Sequence, residues 1–511
     1  MAKGCAKKIV FYLVLFAFPV ALWIATESVA NRMTRRFEPL RIDEREQTLY
    51  VNRDYFTDFF LYRITDFMGL PLANQAVLRK KGSALRIVCL GGSTTAGYPY
   101  NTAPAFGSGA SFPNYLRLIL QYNHPDMPDI QMLNMGCNAL NSLNIRQLVA
   151  SLKRNKPDIF ILYSGHNEYF GPNEFTISKE KTLIYQKPSV YFPFMRFKRT
   201  YLYQGLRSLL HKLAPAVAPK FQDYLQWSLK NGIHPEDPIN LQVAENYAEN
   251  IRSIIAYCRE KRIPLILVQP AANLFFPPFL SLHHENLGRD IIASCDSLVM
   301  MSRIAFQQQD YQKAVAYSQA ASRLDSSYAI AYFYRGMAEI ALDDLASGYQ
   351  NLIRARNCDG LPFRAKSFVH HTLEAQRNSP GVVLVDLPRL LSISDAVPLP
   401  HRDLFLEHVH PNQEGYYTIA CLLAETLLQK KLLPAITTLR YPTFSECQAV
   451  LQTDVLHVAR MEKRFPEDSF FHQLAKLNPE INGYMQWIRW RADQQIAALL
   501  PEAEQPSSTQ P

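Results

Sequence analysis

Short, uninterrupted apolar runs alternate along the chain with longer segments in which apolar residues recur every three or four positions. The runs predict strands buried on both faces, and the periodic segments predict helices with one apolar face. We expect strands at residues 87–90, 130–133, 159–163, 264–268 and 382–386, and helices at 112–122, 143–154, 243–259 and 416–428. This alternation is typical of a parallel sheet covered on both sides, so we predict an α/β fold, a three-layer α/β/α sandwich.

Residues 295–359 depart from the alternation because they are helical in composition almost throughout. Small or acidic residues recur in this segment with a spacing of 34: Ser302 and Gly336, Ala314 and Gly348, Ala321 and Ala355, and Asp325 and Asp359. This is the period of the tetratricopeptide helical hairpin, so the segment resembles a pair of such repeats inserted in the α/β domain. An ordinary helical insertion is the alternative. Because such solenoids normally need three or more units, two repeats should lean on the α/β domain.

The N-terminal segment has a pattern of its own. Residues 9–25 are uncharged and apolar over roughly seventeen positions and follow three lysines, which predicts a transmembrane helix with the rest of the chain outside the cytoplasm. Ser28-Val-Ala30 resembles a cleavage site, so a removed signal peptide is the alternative. We predict a single-pass protein of the inner (cytoplasmic) membrane whose main domain faces the periplasm or the exterior.

These patterns divide the chain into seven segments. They are an anchor or signal segment (1–30), an N-terminal cap (31–82), the first part of the α/β domain (83–290), the helical insertion (291–360), the second part of the α/β domain (361–435), a C-terminal helical extension (436–500) and a disordered tail (501–511).

Composition narrows the class of protein. The 511 residues are 48% hydrophobic and 19% charged, as in a globular protein of two or three units. The net charge of +9 is diffuse, with Arg79-Lys80-Lys81 as the basic run outside the anchor flanks, which favours anionic membrane surfaces or acidic polymers over nucleic acid. No Gly-Lys-Ser or Gly-Lys-Thr follows Gly91-Gly92, which excludes a P-loop, and we predict no cofactor.

A candidate nucleophile lies where the first of the buried strands ends. The strand is followed by Gly91-Gly92-Ser93, a turn that leaves the serine at the C-terminal edge of the sheet, where open α/β folds bind ligands. A serine hydroxyl needs a base and an orienting carboxylate. Glu407-His-Val-His410 follows an apolar strand and precedes a helix, so it supplies both groups. We predict a triad of Ser93, His410 and Glu407.

Two further blocks directly follow predicted strands. Asn134-Met-Gly136 offers the backbone N–H of Gly136, and Gly165-His-Asn167-Glu168 offers the side-chain amide of Asn167. These are the donor types of an oxyanion hole.

The four blocks, in this order, resemble the SGNH (GDSL-type) hydrolase superfamily, whose pattern is Gly-Asp-Ser, a glycine, Gly-x-Asn-Asp and Asp-x-x-His. The resemblance implies Ser93 as nucleophile and first oxyanion donor, Gly136 and Asn167 as the other donors, and His410 as base. It covers roughly residues 84–170, 250–275 and 380–430. The chain has Gly92 and Glu407 where the pattern has aspartates.

The resemblance implies a serine esterase that hydrolyses acyl esters, acetyl esters among them. The expected membrane anchor, the outward-facing domain and the protein-binding repeat suggest an envelope or exported glycan or lipid as the substrate. An O-acyltransferase would use the same site if a sugar hydroxyl reached the acyl-enzyme before water. The departures at Gly92 and Glu407 keep open a non-catalytic scaffold that recruits a protein partner through the helical repeats.

A metal site is the other alternative for the histidine-rich block. His408 and His410 stand two apart near Glu407, with His401, His283-His284 and His370-His371 elsewhere. No H-E-x-x-H motif or cysteine ligand set is present, and a triad uses His410 without a metal, so we predict none.

Overall fold

The structure is a computed structural model. It describes residues 38–43, 48–51, 55–56, 76–78, 84–100, 109–123, 130–169, 171, 187–213, 232–433, 437–467 and 469–499. The predicted membrane segment and C-terminal tail lie outside these residues, as does most of the predicted cap. Of the helices within the described ranges, none combines the length and the apolar content that a membrane span requires.

In the residues that the structure describes, eight strands form two sheets. The strands are β1 (Leu40–Asp43), β2 (Thr48–Val51), β3 (Ala76–Leu78), β4 (Arg86–Gly91), β5 (Gln131–Asn134), β6 (Ile159–Tyr163), β7 (Leu265–Val268) and β8 (Val382–Val385). β1, β2 and β3 form an antiparallel sheet, and the other five form a parallel sheet in the order β5-β4-β6-β7-β8. The parallel sheet is therefore confirmed.

The order of the parallel strands fixes where a site can lie. Counted along the chain from β4, the order is 2-1-3-4-5, in which the chain first moves to one side of β4 and then crosses to the other. Doubly wound sheets bind ligands outside the carboxyl ends of the strands at this crossing point. The crossing point lies between β4, which precedes Ser93, and β6, which precedes Asn167.

Seventeen helices are present in the described part of the chain. They are α1 (Ser93–Ala96), α2 (Phe112–Asn123), α3 (Ser142–Ser151), α4 (Pro188–Lys198), α5 (Tyr201–Leu213), α6 (Ile239–Lys261), α7 (Arg289–Gln307), α8 (Tyr311–Leu324), α9 (Ala329–Ala341), α10 (Leu345–Cys358), α11 (Ser367–Glu374), α12 (Leu387–Leu390), α13 (Gln413–Gln429), α14 (Phe444–Val450), α15 (Val455–Arg464), α16 (Ser469–Leu477) and α17 (Pro479–Leu499).

Alternate side chains of the central strands enter two different cores. Val88 and Leu90 of β4 pack in a core with residues of α3, α6 and α11. Ile87 and Cys89 of the same strand pack on the opposite face with residues of α2 and α13. Because successive side chains of a strand point to opposite faces, an unbroken apolar run is what a sheet with helices on both sides requires.

Helices α7 to α10 form two successive antiparallel hairpins. Gln309 and Asp343, which stand 34 residues apart, both have a φ of 62°, and the next residue in each case caps the following helix with its side chain: Asp310 caps α8 and Asp344 caps α10. The hairpins contact the rest of the protein, since Ala331 and Leu352 share a core with Leu399.

Candidate active site

Ser93 begins α1, two residues after the end of β4. The register pairs Gly91 of β4 with Tyr163 of β6, so the two strands end at the same level of the sheet. Gly97, with a φ of 94°, ends α1 after one turn. The first N–H groups of a helix have no intrahelical acceptor, so the Ser93 amide is not used within α1.

The structure brings Ser93 together with His410, 317 residues later. The Ser93 hydroxyl lies 2.6 Å from His410 Nε2. On the other side of the imidazole, His410 Nδ1 bonds Glu407 Oε1. The three residue types thus stand in the order hydroxyl, imidazole and carboxylate that nucleophilic serine catalysis requires.

The longer glutamate side chain is accommodated within its own loop. Glu407 Oε1 also accepts the backbone N–H of His410 at 2.7 Å, and Leu406 N–H donates to the His410 carbonyl at 2.8 Å. Glu407 is fully buried and His410 is 9% exposed. The carboxylate therefore fixes both the backbone and the ring of His410.

A second imidazole contacts the same carboxylate. His408 Nδ1 faces Glu407 Oε2, so the carboxylate lies between two histidines. The His408 ring is enclosed by aromatic rings of Phe276, Phe279 and Phe471, at centroid distances of 5.6, 4.7 and 6.1 Å. Burial holds the pKa of His408 well below its usual value, which keeps this imidazole neutral.

Asn167 lies beside the nucleophile turn. Its Nδ2 donates to the Leu140 carbonyl at 3.1 Å, which leaves its second hydrogen for another acceptor. A Cβ on residue 92 would stand 2.6 Å from this nitrogen. Gly92 therefore leaves room for the Asn167 amide in the position that it occupies here.

Gly136 is close to this region, but its N–H is already bonded. It donates to Asn134 Oδ1 at 2.9 Å, so the structure does not present it as a donor to a substrate. Three residues later, Ala139 has a φ of 62°, and no acceptor in the described part of the chain takes its N–H. No sequence signal points to Ala139, because an alanine with a left-handed backbone cannot be distinguished in the sequence from any other alanine.

Two buried side chains hold the loops that carry these donors. Glu168 accepts from the Ser142 amide at 3.0 Å and from the Ser142 hydroxyl at 2.6 Å, which fixes the start of α3 and the loop before it. Burial raises the pKa of Glu168 to about 7. His166 Nδ1 accepts the Ala365 N–H at 3.1 Å, and burial lowers the pKa of His166 to about 3.

The C-terminal helices cover the loop that carries Glu407, His408 and His410, called the histidine loop below. Tyr98 and Phe465 have ring centroids 6.4 Å apart, and the Tyr98 ring lies 4.7 Å from that of His410. Asn273 links the loop to α17, because its Nδ2 donates to the Glu407 carbonyl at 3.2 Å and to the Tyr484 hydroxyl at 2.6 Å. The sequence pattern predicted helices here without indicating that they cover a site.

Burial sets the protonation state of the candidate base. It lowers the pKa of His410 to about 3. The imidazole is therefore neutral near pH 7, which is the state that can accept the proton of the Ser93 hydroxyl.

The histidines of this region were also candidates for metal ligands. Within the described residues, no group of three or more His, Cys, Asp or Glu side chains is arranged to hold a metal ion. The histidines at 408 and 410 instead flank the Glu407 carboxylate.

Comparisons with known proteins give a distant similarity among solved structures. No family model and no curated protein matches the chain. Among solved structures, the chain is similar to a "putative lipolytic protein of G-D-S-L family" from Desulfitobacterium hafniense DCB-2, with 12% identity, a TM-score of 0.29, and coverage of 67% of this chain and 99% of that one. The functional proposal therefore depends on the geometry of the site.

Proposed function

We propose that this chain is a serine esterase of the SGNH type that hydrolyses acyl esters through Ser93, His410 and Glu407. The observation that carries the proposal is the 2.6 Å contact between the Ser93 hydroxyl and His410 Nε2, with Glu407 bonded to the other ring nitrogen. A contact between groups 317 residues apart, at the crossing point of a doubly wound sheet, is what a nucleophile and its base need.

In the first half of the reaction, Ser93 Oγ attacks the ester carbonyl carbon while His410 Nε2 takes the hydroxyl proton. Glu407 keeps the imidazole in the tautomer whose Nε2 accepts, and it stabilises the imidazolium that forms. His410 then gives the proton to the alcohol oxygen as the carbon–oxygen bond breaks, which leaves an acyl group on Ser93.

In the second half, His410 removes a proton from water, and the resulting hydroxide oxygen attacks the acyl carbon. The Ser93–acyl bond breaks, the proton returns to Ser93 Oγ, and a carboxylic acid leaves. Loss of one oxyanion donor from such a site costs about 100-fold or more in turnover.

We assign the oxyanion to the Ser93 amide, the Asn167 Nδ2 and, in place of Gly136, the amide of Ala139. Two observations support the third donor. The Gly136 N–H is taken by Asn134, and the turn that carries Ala139 continues to Leu140, whose carbonyl receives the Asn167 side chain.

We further propose that the enzyme is anchored to the inner membrane by residues 9–25 and acts on the extracytoplasmic side, on acylated glycan or lipid of the envelope. The lysines that precede the apolar segment support this orientation. Acetate release from envelope glycans tests the substrate class: a strain with Ser93→Ala should release less acetate than the parent, and equal release contradicts it.

The two helical hairpins, which we infer to be tetratricopeptide-like, are proposed to bind a protein partner. Met300, Met301 and Ile304 on α7 are 53%, 42% and 44% exposed, which gives this helix an outward apolar face. Photocrosslinking from position 300 should yield a discrete adduct that is absent from position 241, where Leu241 is 67% exposed on α6. Equal crosslinking from both positions contradicts the proposal.

Hydrolysis of a soluble p-nitrophenyl ester tests the enzymatic proposal. The full chain should turn over the ester, and Ser93→Ala and His410→Ala should each reduce kcat by about 1,000-fold or more. A purified, folded chain with no activity on short-chain and long-chain esters would favour the non-catalytic scaffold instead.

A further inference from the structure

Helices α4 and α5 follow each other in the chain, and α4 packs on the α/β domain. α4 is attached to the core, because Tyr191 and Met195 are buried and the Tyr191 hydroxyl accepts from Asn144 Nδ2 at 2.7 Å. Gln204 Nε2 of α5 donates to the Lys198 carbonyl at 2.9 Å. The first helix thus fixes the position of the second.

α5 exposes a stripe of leucines. Leu202, Leu206 and Leu209 are 54%, 51% and 53% exposed. Their spacing of four and then three residues places them on one side of a helix. Phe197, near the end of α4, is 46% exposed, and its ring packs on that of Tyr203 in α5 at a centroid distance of 5.3 Å. Large side chains on one face, exposed to this extent, mark an interaction surface.

The charge of the same segment identifies the partner. Residues 187–213 contain six lysines and arginines (Lys187, Arg196, Lys198, Arg199, Arg207 and Lys212) and no aspartate or glutamate. Lys187 and Arg196 are exposed, whereas Lys198 is buried and Arg199 lies over the Tyr55 ring, so Lys198 does not add to the surface charge. A basic helix with an exposed apolar stripe suits the surface of a membrane that contains anionic lipid, where leucines enter the acyl boundary and cations meet the headgroups.

We propose that α4 and α5 dock on a membrane surface that contains anionic lipid, with Leu202, Leu206 and Leu209 at the level of the acyl chains. Docking would give the α/β domain a second attachment to the bilayer, in addition to the proposed anchor at residues 9–25. The inference does not depend on esterase activity, because none of these residues belongs to the candidate triad.

A fluorophore at the leucine stripe tests the proposal in the full chain reconstituted in lipid vesicles. Leu206→Cys is labelled with nitrobenzoxadiazole, and Met300→Cys, at 53% exposure on α7, is the matched control. The chain without an introduced cysteine gives the background. Emission from position 206 is compared in vesicles of phosphatidylcholine and in vesicles that also contain phosphatidylglycerol. With phosphatidylglycerol present, it should shift to the blue and rise about twofold or more. Emission from position 300 should not change.

Two further variants separate lipid docking from other contacts. Arg196→Glu with Arg207→Glu should abolish the response to anionic lipid, as should high salt. Leu202→Gln with Leu209→Gln should abolish the response at position 206 and leave hydrolysis of a soluble ester unchanged. The proposal is overturned if position 206 responds equally to both lipids, if position 300 responds as strongly, or if the response follows protein concentration without lipid, which indicates a second copy.

Discussion

Position 92 shows how one missing side chain shapes the candidate site. A Cβ there would stand 2.6 Å from the Asn167 amide nitrogen, which is the proposed oxyanion donor. Glu407, the other departure from the family pattern, reaches back to bond both the amide and the ring of His410. With Gly92 and Glu407 at these two positions, Ser93, His410 and Glu407 still lie in contact, as the proposed esterase requires.

Substitution of Gly92 tests this account. Gly92→Ala should displace the Asn167 side chain and lower kcat by about tenfold to 100-fold, with little change in Tm, because the amide is the end of a movable side chain. Steady-state kinetics and thermal unfolding measure the two effects. Gly483→Ala is the matched control, since nothing lies within 4 Å of a Cβ at that position. An unchanged kcat in Gly92→Ala would remove Asn167 from the mechanism.

The pH dependence follows from the buried His410. A general base acts only when it is neutral, and it is neutral above its pKa. Because burial lowers this pKa to about 3, kcat/KM should not fall with a midpoint near the ordinary histidine value of 6.5 as the pH is lowered. Rate profiles with a soluble ester measure this. Glu168, with a pKa of about 7, is the competing ionisation, so Glu168→Gln serves as the control. An acid limb near pH 6.5 that persists in Glu168→Gln contradicts the account.

At the scale of elements, buried parallel strands were the most predictable part of the chain. β6 was expected at 159–163 and occupies Ile159–Tyr163, because a strand covered on both faces must be an unbroken apolar run. Helix starts were less well predicted. α13 was expected from residue 416 but begins at Gln413, because the Asn412 side chain caps it through the Gly415 N–H at 2.8 Å. A cap depends on geometry that apolar spacing does not encode.

The close packing of α9 on α10 can be tested by substitution of a glycine. A Cβ on Gly336 would lie 2.8 Å from the Gly348 carbonyl oxygen, so Gly336→Ala must separate the two helices. We expect it to lower the free energy of unfolding by about 1–3 kcal/mol, despite the better helix propensity of alanine. Gly483→Ala, in the open helix α17, should instead stabilise by up to about 1 kcal/mol. Thermal unfolding of both variants is the measurement, and a stabilised Gly336→Ala would contradict the close packing.

In the whole molecule, the candidate site is built from the α/β domain and from the C-terminal helices, which the sequence pattern predicts as separate segments. The order of the four blocks predicted that Ser93 and His410 would share a sheet edge. It could not predict that Phe465 and Phe471 cover the site, because the sequence does not show which distant helices pack on a given loop. It named Gly136 and not Ala139 as an oxyanion donor, because the sequence does not show which backbone amide is already bonded.

The hydrogen bond through which α17 holds the histidine loop can be tested by removal of the Tyr484 hydroxyl. Tyr484→Phe removes the hydroxyl that receives Asn273 Nδ2, so the loop that Asn273 holds should become less well positioned. We expect kcat/KM to fall by about tenfold, since small misplacements of catalytic groups are costly. Tyr441→Phe, which loses an exposed bond to Glu425, is the control. A lower Tm with unchanged kcat/KM would assign Tyr484 to stability alone.

The most direct test of the central claim is covalent labelling of the full chain by a fluorophosphonate, followed by mass spectrometry of the labelled peptide. A fluorophosphonate reacts only with a serine whose hydroxyl is activated by a neighbouring base. If Ser93 is the nucleophile and His410 its base, one adduct should form, on Ser93, and it should be absent from Ser93→Ala and strongly reduced in His410→Ala. A folded chain that takes no label, or equal labelling in Ser93→Ala, would contradict it.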